Sequence, residues 1–119
     1  MVLVSVTRLR LRSLRYLLPF LWYAVPAARQ AKQASGNLGS QTRVTGGLVF
    51  WTLTLWQDET AMKTYRDSGV HLQAMPKLRR WCDQSASAHW QQEPAEFPSW
   101  PVAEERLREL SRNVWQRGR

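Results

Sequence analysis

Leu48-Val49-Phe50-Trp51-Thr52-Leu53-Thr54-Leu55-Trp56 alternates along its whole length. Successive side chains of a strand point to opposite faces. Val49, Trp51, Leu53 and Leu55 therefore share one face, and Phe50, Thr52, Thr54 and Trp56 share the other. The first face is wholly apolar; the second mixes aromatics with threonines. A strand of this kind is covered on both sides. One cover is the protein's own helices, and the other is a partner's sheet or a ligand.

Reading outward, Gly46-Gly47 is a hairpin turn, and Leu38–Thr45 reads as the strand paired across it. Residues 2–9 also alternate, with Val2, Val4 and Val6 against Leu3, Ser5, Thr7 and Leu9. Ser13 caps a helix from Leu14 to Ala34, which Pro19 and Pro26 kink or break and Ser35-Gly36-Asn37 ends. Downstream, Asp58 caps a helix that runs to Ser68 and is closed by Gly69. A second helical piece, His71 to Gln84, spaces Leu72, Met75, Leu78 and Trp81 as an apolar stripe. In Ala86–Gln91, Ala86, Ala88 and Trp90 share one strand face and Ser87, His89 and Gln91 the other. Pro94, Pro98 and Pro101 then make an extended linker around Phe97 and Trp100. Glu104–Gln116 reads as an amphipathic helix with Leu107, Leu110, Val114 and Trp115 inward.

The order β, α, β, β, α in two pieces, β is the split βαβ, ferredoxin-like order. The expected fold is α+β: an antiparallel βαββαβ sheet over residues 1–92, with residues 93–119 as a Pro-rich linker and an additional C-terminal helix packed on the domain. Helices on one face leave the other open. Phe50 and Trp56 on that open face would form a large apolar patch, which a homodimer through the sheet would cover.

Trp56-Gln57-Asp58-Glu59-Thr60-Ala61-Met62-Lys63-Thr64-Tyr65-Arg66-Asp67-Ser68-Gly69-Val70-His71 resembles the strand-to-helix signature of the antibiotic-biosynthesis-monooxygenase-like proteins. The signature is an aromatic ending a strand, an acidic cap, an Ala-containing helix, a Ser near its end, then a His. The continuation through Met75, Trp81 and His89-Trp90 resembles a branch related to spheroidene monooxygenase, a carotenoid-oxidising enzyme. The similarity covers residues 2–92, and its specific part is 56–90. It implies a dimeric α+β barrel whose pocket, between sheet and helices, takes an apolar aromatic or polyene ligand. That superfamily holds cofactor-independent oxygenases of polycyclic phenols, haem-degrading and haem-bearing enzymes, and stress-responsive proteins, so the resemblance leaves the activity open. Against the haem degraders, Trp56 is shared, their catalytic Trp falls on Tyr65, and their iron-binding His falls on Met75. Their first-strand Asn has only Ser5 and Thr7 to answer it. No metal site and no resident cofactor are expected, with haem held through His71 as the alternative.

His71, near a helix start, is the catalytic candidate: an imidazole with an ordinary pKa near 6.5 can take a proton from a phenol. The opposing reading is a histidine that caps or packs. The candidate ligand contacts are Phe50, Thr52, Thr54 and Trp56, an aromatic platform with hydroxyls, together with Tyr65 and His89. Dimer packing and a hydrogen-bonded sheet histidine are the competing readings for these. Tyr16, Trp22 and Tyr23 read as core of the first helix. Arg43 and the earlier arginines could hold a ligand carboxylate or be solvated charge. Cys82, beside Trp81 in a helix, has no base to activate it.

Composition bounds the rest. The chain has 119 residues, 44% of them hydrophobic, and seven Trp, which suits one globular domain. The single Cys82 excludes an internal disulfide. The net charge of +8 is one-sided: residues 1–57 hold Arg8, Arg10, Arg12, Arg15, Arg29, Lys32 and Arg43 and no Asp or Glu. Such a surface attracts phospholipid head groups, nucleic acid or ligand anions. No nucleic-acid-binding module is recognisable, so that partner is not expected. Residues 1–28 imitate a secretory signal, but the strand pattern from Val2 and the interruptions at Pro19 and Pro26 oppose it. The apolar run Tyr16–Ala28 is 13 residues, short of the roughly 20 that span a bilayer. A cytoplasmic protein is expected. The function that the resemblance implies is monooxygenase-like binding of an apolar aromatic or polyene ligand, with or without oxidation. The alternatives are a non-catalytic ligand-binding or stress-related dimer, or a peripheral protein docking its basic first half on an anionic membrane.

Overall fold

Alternation and capping build the elements where the sequence places them. A computed structural model describes residues 1–110 and 115–116, apart from the side chains of residues 70–72, 75 and 115–116. Strand β1 (Val2–Leu11) leads through a short 3₁₀ turn to helix α1 (Leu17–Gln33). The hairpin β2 (Asn37–Thr45) and β3 (Val49–Trp56) follows, then α2 (Glu59–Arg66), α3 (Gly69–Trp81) and β4 (Cys82–Gln92). Ser13 accepts from the Arg15 N–H, and Asp58 accepts from the Ala61 N–H at 2.8 Å, as their cap roles require. Helix α1 runs through Pro26 without a break. Gly36, at φ +88°, turns the chain out of α1, and a Cβ there would sit 2.5 Å from that of Ala61. Glycine thus serves both the turn and the close seat of α2.

With a last short strand β5 (Trp115–Gln116), the sheet order is β2-β3-β1-β4-β5, every neighbouring pair antiparallel, which is the ferredoxin-like α+β arrangement. The end of the chain departs from expectation. Helix α4 spans Trp100–Leu110, earlier than Glu104–Gln116, and β5 (Trp115–Gln116) pairs with Gln84 and Ser85 at the sheet edge. Trp115 is therefore in a strand, and Val114 lies outside the described residues. Cys82 opens β4 instead of continuing the preceding helix, with extended backbone at φ −112° and ψ 142°.

The two sheet faces are covered by different elements. Val49, Trp51, Leu53 and Leu55 join Val4, Val6, Ala86 and Ala88 in one core, roofed by Ala103 and Leu107 of α4 with Phe97 and Trp100 alongside. Small alanines on β4 leave room for that helix. Gly39 lets the Phe97 ring approach so closely that a Cβ would meet it at 2.9 Å. The mixed face lies under α1–α3: Phe50 meets Phe20 at 4.7 Å between ring centres, and Trp56 stacks on Tyr65 at 5.3 Å. This reverses the expected assignment. Phe50 and Trp56 are not on an open face; Trp56 is only 1% exposed. The reason is that α4 folds back over the aliphatic face, leaving the aromatic-bearing helices the mixed one. The argument for a homodimer from an exposed Phe50–Trp56 patch therefore does not hold.

If α4 belongs to the core, Leu107→Ala costs about 2–5 kcal/mol, as much as Leu53→Ala, because both leave a cavity in the same cluster. Urea unfolding monitored by circular dichroism measures both. A loss within about 0.5 kcal/mol for Leu107→Ala, the range of an ordinary surface change, would place α4 off the sheet.

Candidate ligand cleft

Cross-strand partners of an antiparallel pair share a face. The register aligns Ser40, Thr54, Ser5 and His89 in one row across β2, β3, β1 and β4, and Thr42, Thr52, Thr7 and Ser87 in the next. Both rows look towards α1–α3. Thr42, Thr52, Ser87 and His89 are exposed, and Ser5, Thr7 and Ser40 are half-buried; only Thr54 is closed off. Strand β3 is an interior strand, so exposure of Thr52 on the helix-facing side means that the helices stand off the sheet at its middle. The result is a cleft with a hydroxyl-bearing floor. Neighbouring strands are about 4.8 Å apart and alternate residues about 6.8 Å apart, which makes the floor roughly 14 Å by 7 Å.

Each end of the floor is apolar. At one end Leu9, Leu11, Phe20 and Phe50 pack with Trp81, whose ring lies 5.7 Å from that of Tyr23. At the other, Leu3, Trp56 and Met62 form a cluster with Tyr65 against it. The Trp56 indole N–H donates to Thr54 Oγ1 at 2.9 Å, and the Tyr65 hydroxyl donates to the Ala27 carbonyl at 3.0 Å, tying α2 to α1. Burial pushes the Tyr65 phenol up to about 12, so it stays protonated at neutral pH and acts as a donor, not a base. Pro26, Arg29, Gln33, Ala61, Thr64 and Tyr65 line a wide groove of about 500 Å³ between α1 and α2, which shares none of the floor's residues.

The sequence candidates separate accordingly. Phe50, Thr52 and Thr54 share the floor; Trp56 and Tyr65 form its closed end. His89 stands at the mouth, its Nε2 3.5 Å from Glu59 Oε1, which also lies 3.3 Å from the Lys63 ammonium. His71 is in the first turn of α3, and its side chain lies outside the described residues. Arg43 is on the opposite sheet face, between the rings of Trp51 (4.8 Å) and Trp100 (4.4 Å) and 3.6 Å from Glu104. It is a clamp for α4 and not a ligand anchor in the cleft. Arg8 is on that face too, donating to Gln84 at 2.7 Å. Trp22 is not core: it is 79% exposed. Cys82 is fully buried and its thiol is raised to about 12, first by burial and then by Asp83, with Arg12 opposing. Among the described residues no three His, Cys, Asp or Glu side chains are grouped to hold a metal ion. Residue-by-residue reading missed Ser40, Thr42 and Glu59 as members of this face. The signal for the first two is the alternation of β2, and it becomes a row only through the register.

The sequence profile of a family described as "Domain of unknown function (DUF3291)" matches residues 20–114. No curated protein matches in sequence. Among solved structures, a conserved protein from Methanosarcina mazei Go1 superimposes with a TM-score of 0.69 at 11% identity, covering 78% of this chain and 94% of that one. An antibiotic biosynthesis monooxygenase gives 0.68 at 13%, covering 77% and 99%. SnoaB, a cofactor-independent oxygenase from Streptomyces nogalater, gives 0.64 at 13%, covering 82% and 98%. At such identities the likeness shows the ferredoxin-like fold of the antibiotic-biosynthesis-monooxygenase-like proteins and nothing of ligand or reaction.

The buried phenol and thiol make a pH prediction. Both folded pKa values lie above the ordinary 10.0 and 9.0, so the folded chain holds these protons longer than the unfolded chain. Their contribution to stability is complete below pH 9 and is lost as pH rises from there towards about 12. Urea midpoints measured across that window should fall for the natural chain. The slope should flatten in the Tyr65→Phe/Cys82→Ala double variant; an unchanged slope would remove both groups from the account.

Proposed function

We propose a ligand-binding, monooxygenase-like function for this chain, which belongs to the DUF3291 family of domains of unknown function. The observation that carries the reading is the exposed hydroxyl floor between two aromatic ends, inside a fold shared with oxygenases. Apolar walls with a few convergent polar groups are the usual composition of a small-molecule site. A floor of roughly 14 Å by 7 Å matches the footprint of a tricyclic aromatic or a short polyene. Rings would lie against Phe50 at one end and the Trp56–Tyr65 end at the other. Thr52, Thr54 and His89 would meet the oxygen-bearing edge of the ligand.

The oxidation is taken from the fold likeness, and SnoaB supplies the reaction class: oxygen insertion without a resident cofactor. In that reading His71 takes the proton of a phenol, O2 adds to a ring carbon of the phenolate that bears hydrogen, and the hydroperoxide loses water to leave a quinone; one oxygen atom stays in the product, the other leaves as water, and the substrate itself supplies the two electrons. Burial holds the proton on Tyr65, which supports a donor role for it in this reading. A homodimer formed through the sheet layer would have α4 as its contact surface, because α4 covers the aliphatic face.

A tricyclic phenol titrated calorimetrically should bind, and Thr52→Phe/Ser87→Leu should weaken it by about tenfold or more, since both side chains fill the floor. Failure of both a tricyclic phenol and a polyene to bind, or indifference to the filled floor, would reject the cleft. Where the phenol binds, His71→Ala should cut oxygen uptake by about a hundredfold or more at unchanged affinity. Unchanged uptake would remove His71 as the base. Binding with no uptake by the natural chain would make the protein a carrier.

A further inference from the structure

Among the described residues, nothing covers the outward face of α1. Leu14 (66% exposed), Leu18 (79%), Trp22 (79%) and Val25 (47%) follow one another at spacings of four, four and three residues. Leu14 lies in the 3₁₀ turn that leads into α1; within α1, at 3.6 residues per turn, Leu18, Trp22 and Val25 form one stripe. Arg29 and Lys32 extend it at spacings of four and three, and both are exposed. Phe20 and Ala31, on the opposite side of the helix, are buried. The stripe is thus apolar for its first half and cationic for its second. Exposed Arg15 lies beside its start, and the Lys77 ammonium of α3 stands over the Tyr23 ring at 5.5 Å.

A run of exposed large apolar residues on one helix is an interaction surface and not ordinary surface scatter. Charge selects the occupant. No Asp or Glu occurs in residues 1–57, so every charged residue on the stripe's own helix is a cation. A second copy presenting the same stripe would bring like charges together. An apolar stripe centred on Trp and ringed by Arg and Lys has the composition of a helix that lies in the interface of an anionic bilayer, with its ring at head-group level. Among the described residues no helix is long and apolar enough to cross a membrane. We infer that the chain docks on anionic lipid surfaces through Leu14, Leu18, Trp22 and Val25, with Arg29 and Lys32 on the head groups. The inference does not depend on what the cleft binds.

Vesicle flotation tests it with the full chain. Vesicles of phosphatidylcholine containing about 30% phosphatidylglycerol should carry the protein up, while phosphatidylcholine alone should not. Leu18→Glu/Trp22→Glu should abolish flotation, and because both side chains are exposed, circular dichroism should show the fold intact. Arg29→Gln/Lys32→Gln should weaken partitioning about thirtyfold, the effect of two surface cations, and about 0.5 M salt should weaken the natural chain similarly. Quenching of Trp emission by brominated lipid should diminish in Trp22→Phe. No flotation on anionic vesicles, equal flotation on neutral ones, or flotation indifferent to Leu18→Glu/Trp22→Glu would overturn the inference. So would a natural dimer that Leu18→Glu/Trp22→Glu converts to monomer, since the stripe would then belong to a second copy.

Discussion

Burial of the aliphatic sheet face by α4 decides how the rest of the molecule is arranged. Val4, Val6 and Leu53 have no solvent exposure, and that closure comes from Ala103 and Leu107 together with Phe97 and Trp100. An antiparallel sheet whose apolar face is bare must find a second sheet or a second chain. Here the C-terminal segment fills that role from within, and Arg43 holds it by lying between Trp51 and Trp100 and beside Glu104. One guanidinium lies within cation–π distance of both rings and pairs with the carboxylate, a use that a lysine could not copy.

With the aliphatic face closed, α1–α3 pack on a face that is apolar only at its ends. Phe50 and Leu9 receive Phe20 and Trp81; Leu3 and Trp56 receive Met62 and Tyr65. Between them stand rows of Ser, Thr and His that a tightly seated helix would have to desolvate, at a cost that unpaired hydroxyls do not repay. The helices therefore touch at the ends and leave the middle wet. The cleft follows from the polar rows and needs no separate device. Thr54 shows the boundary: it is buried, and its hydroxyl accepts from the Trp56 N–H and donates to the Ser5 carbonyl.

How much of this is legible in the sequence depends on the range of each signal. The alternation in β1 and β3, the Gly46-Gly47 turn and the caps at Ser13 and Asp58 are local, and the structure carries them. The choice of face is not local. Helices normally seek the more apolar side, so Val49, Trp51, Leu53 and Leu55 point to a helical cover, which is correct in kind and wrong in identity. The three prolines between residues 94 and 101 read as linker, yet Phe97 and Trp100 among them are anchors, and a solvated linker has no use for two large aromatics. The floor was half visible. Ser5, Thr7, Thr52, Thr54 and Ser87 each show on a strand face, but only the antiparallel register aligns them. His71 rests on the family resemblance, its side chain lying outside the described residues, whereas Glu59 beside His89 arises from a contact that no spacing announces.

The first half of α1 ties the two proposed surfaces together. Its inward side supplies Leu17, Phe20, Leu21 and Ala24 to the Phe50 end of the cleft, while Leu18, Trp22 and Val25 face water. A helix apolar on all sides is buried on all sides or meets lipid. This is why Trp22 reads as core from sequence, and why its exposure calls for a partner. The helix is about 10 Å across, so a chain seated on a bilayer by its outer stripe would hold the hydroxyl floor about one helix diameter from the lipid. A flat apolar ligand is concentrated in the bilayer and scarce in water, since each buried apolar surface element favours the hydrocarbon phase. Placing the roof of the cleft on the membrane shortens the path from that reservoir to the floor, and gives one reason for α1 to be apolar on both sides when folding alone requires only the inner one.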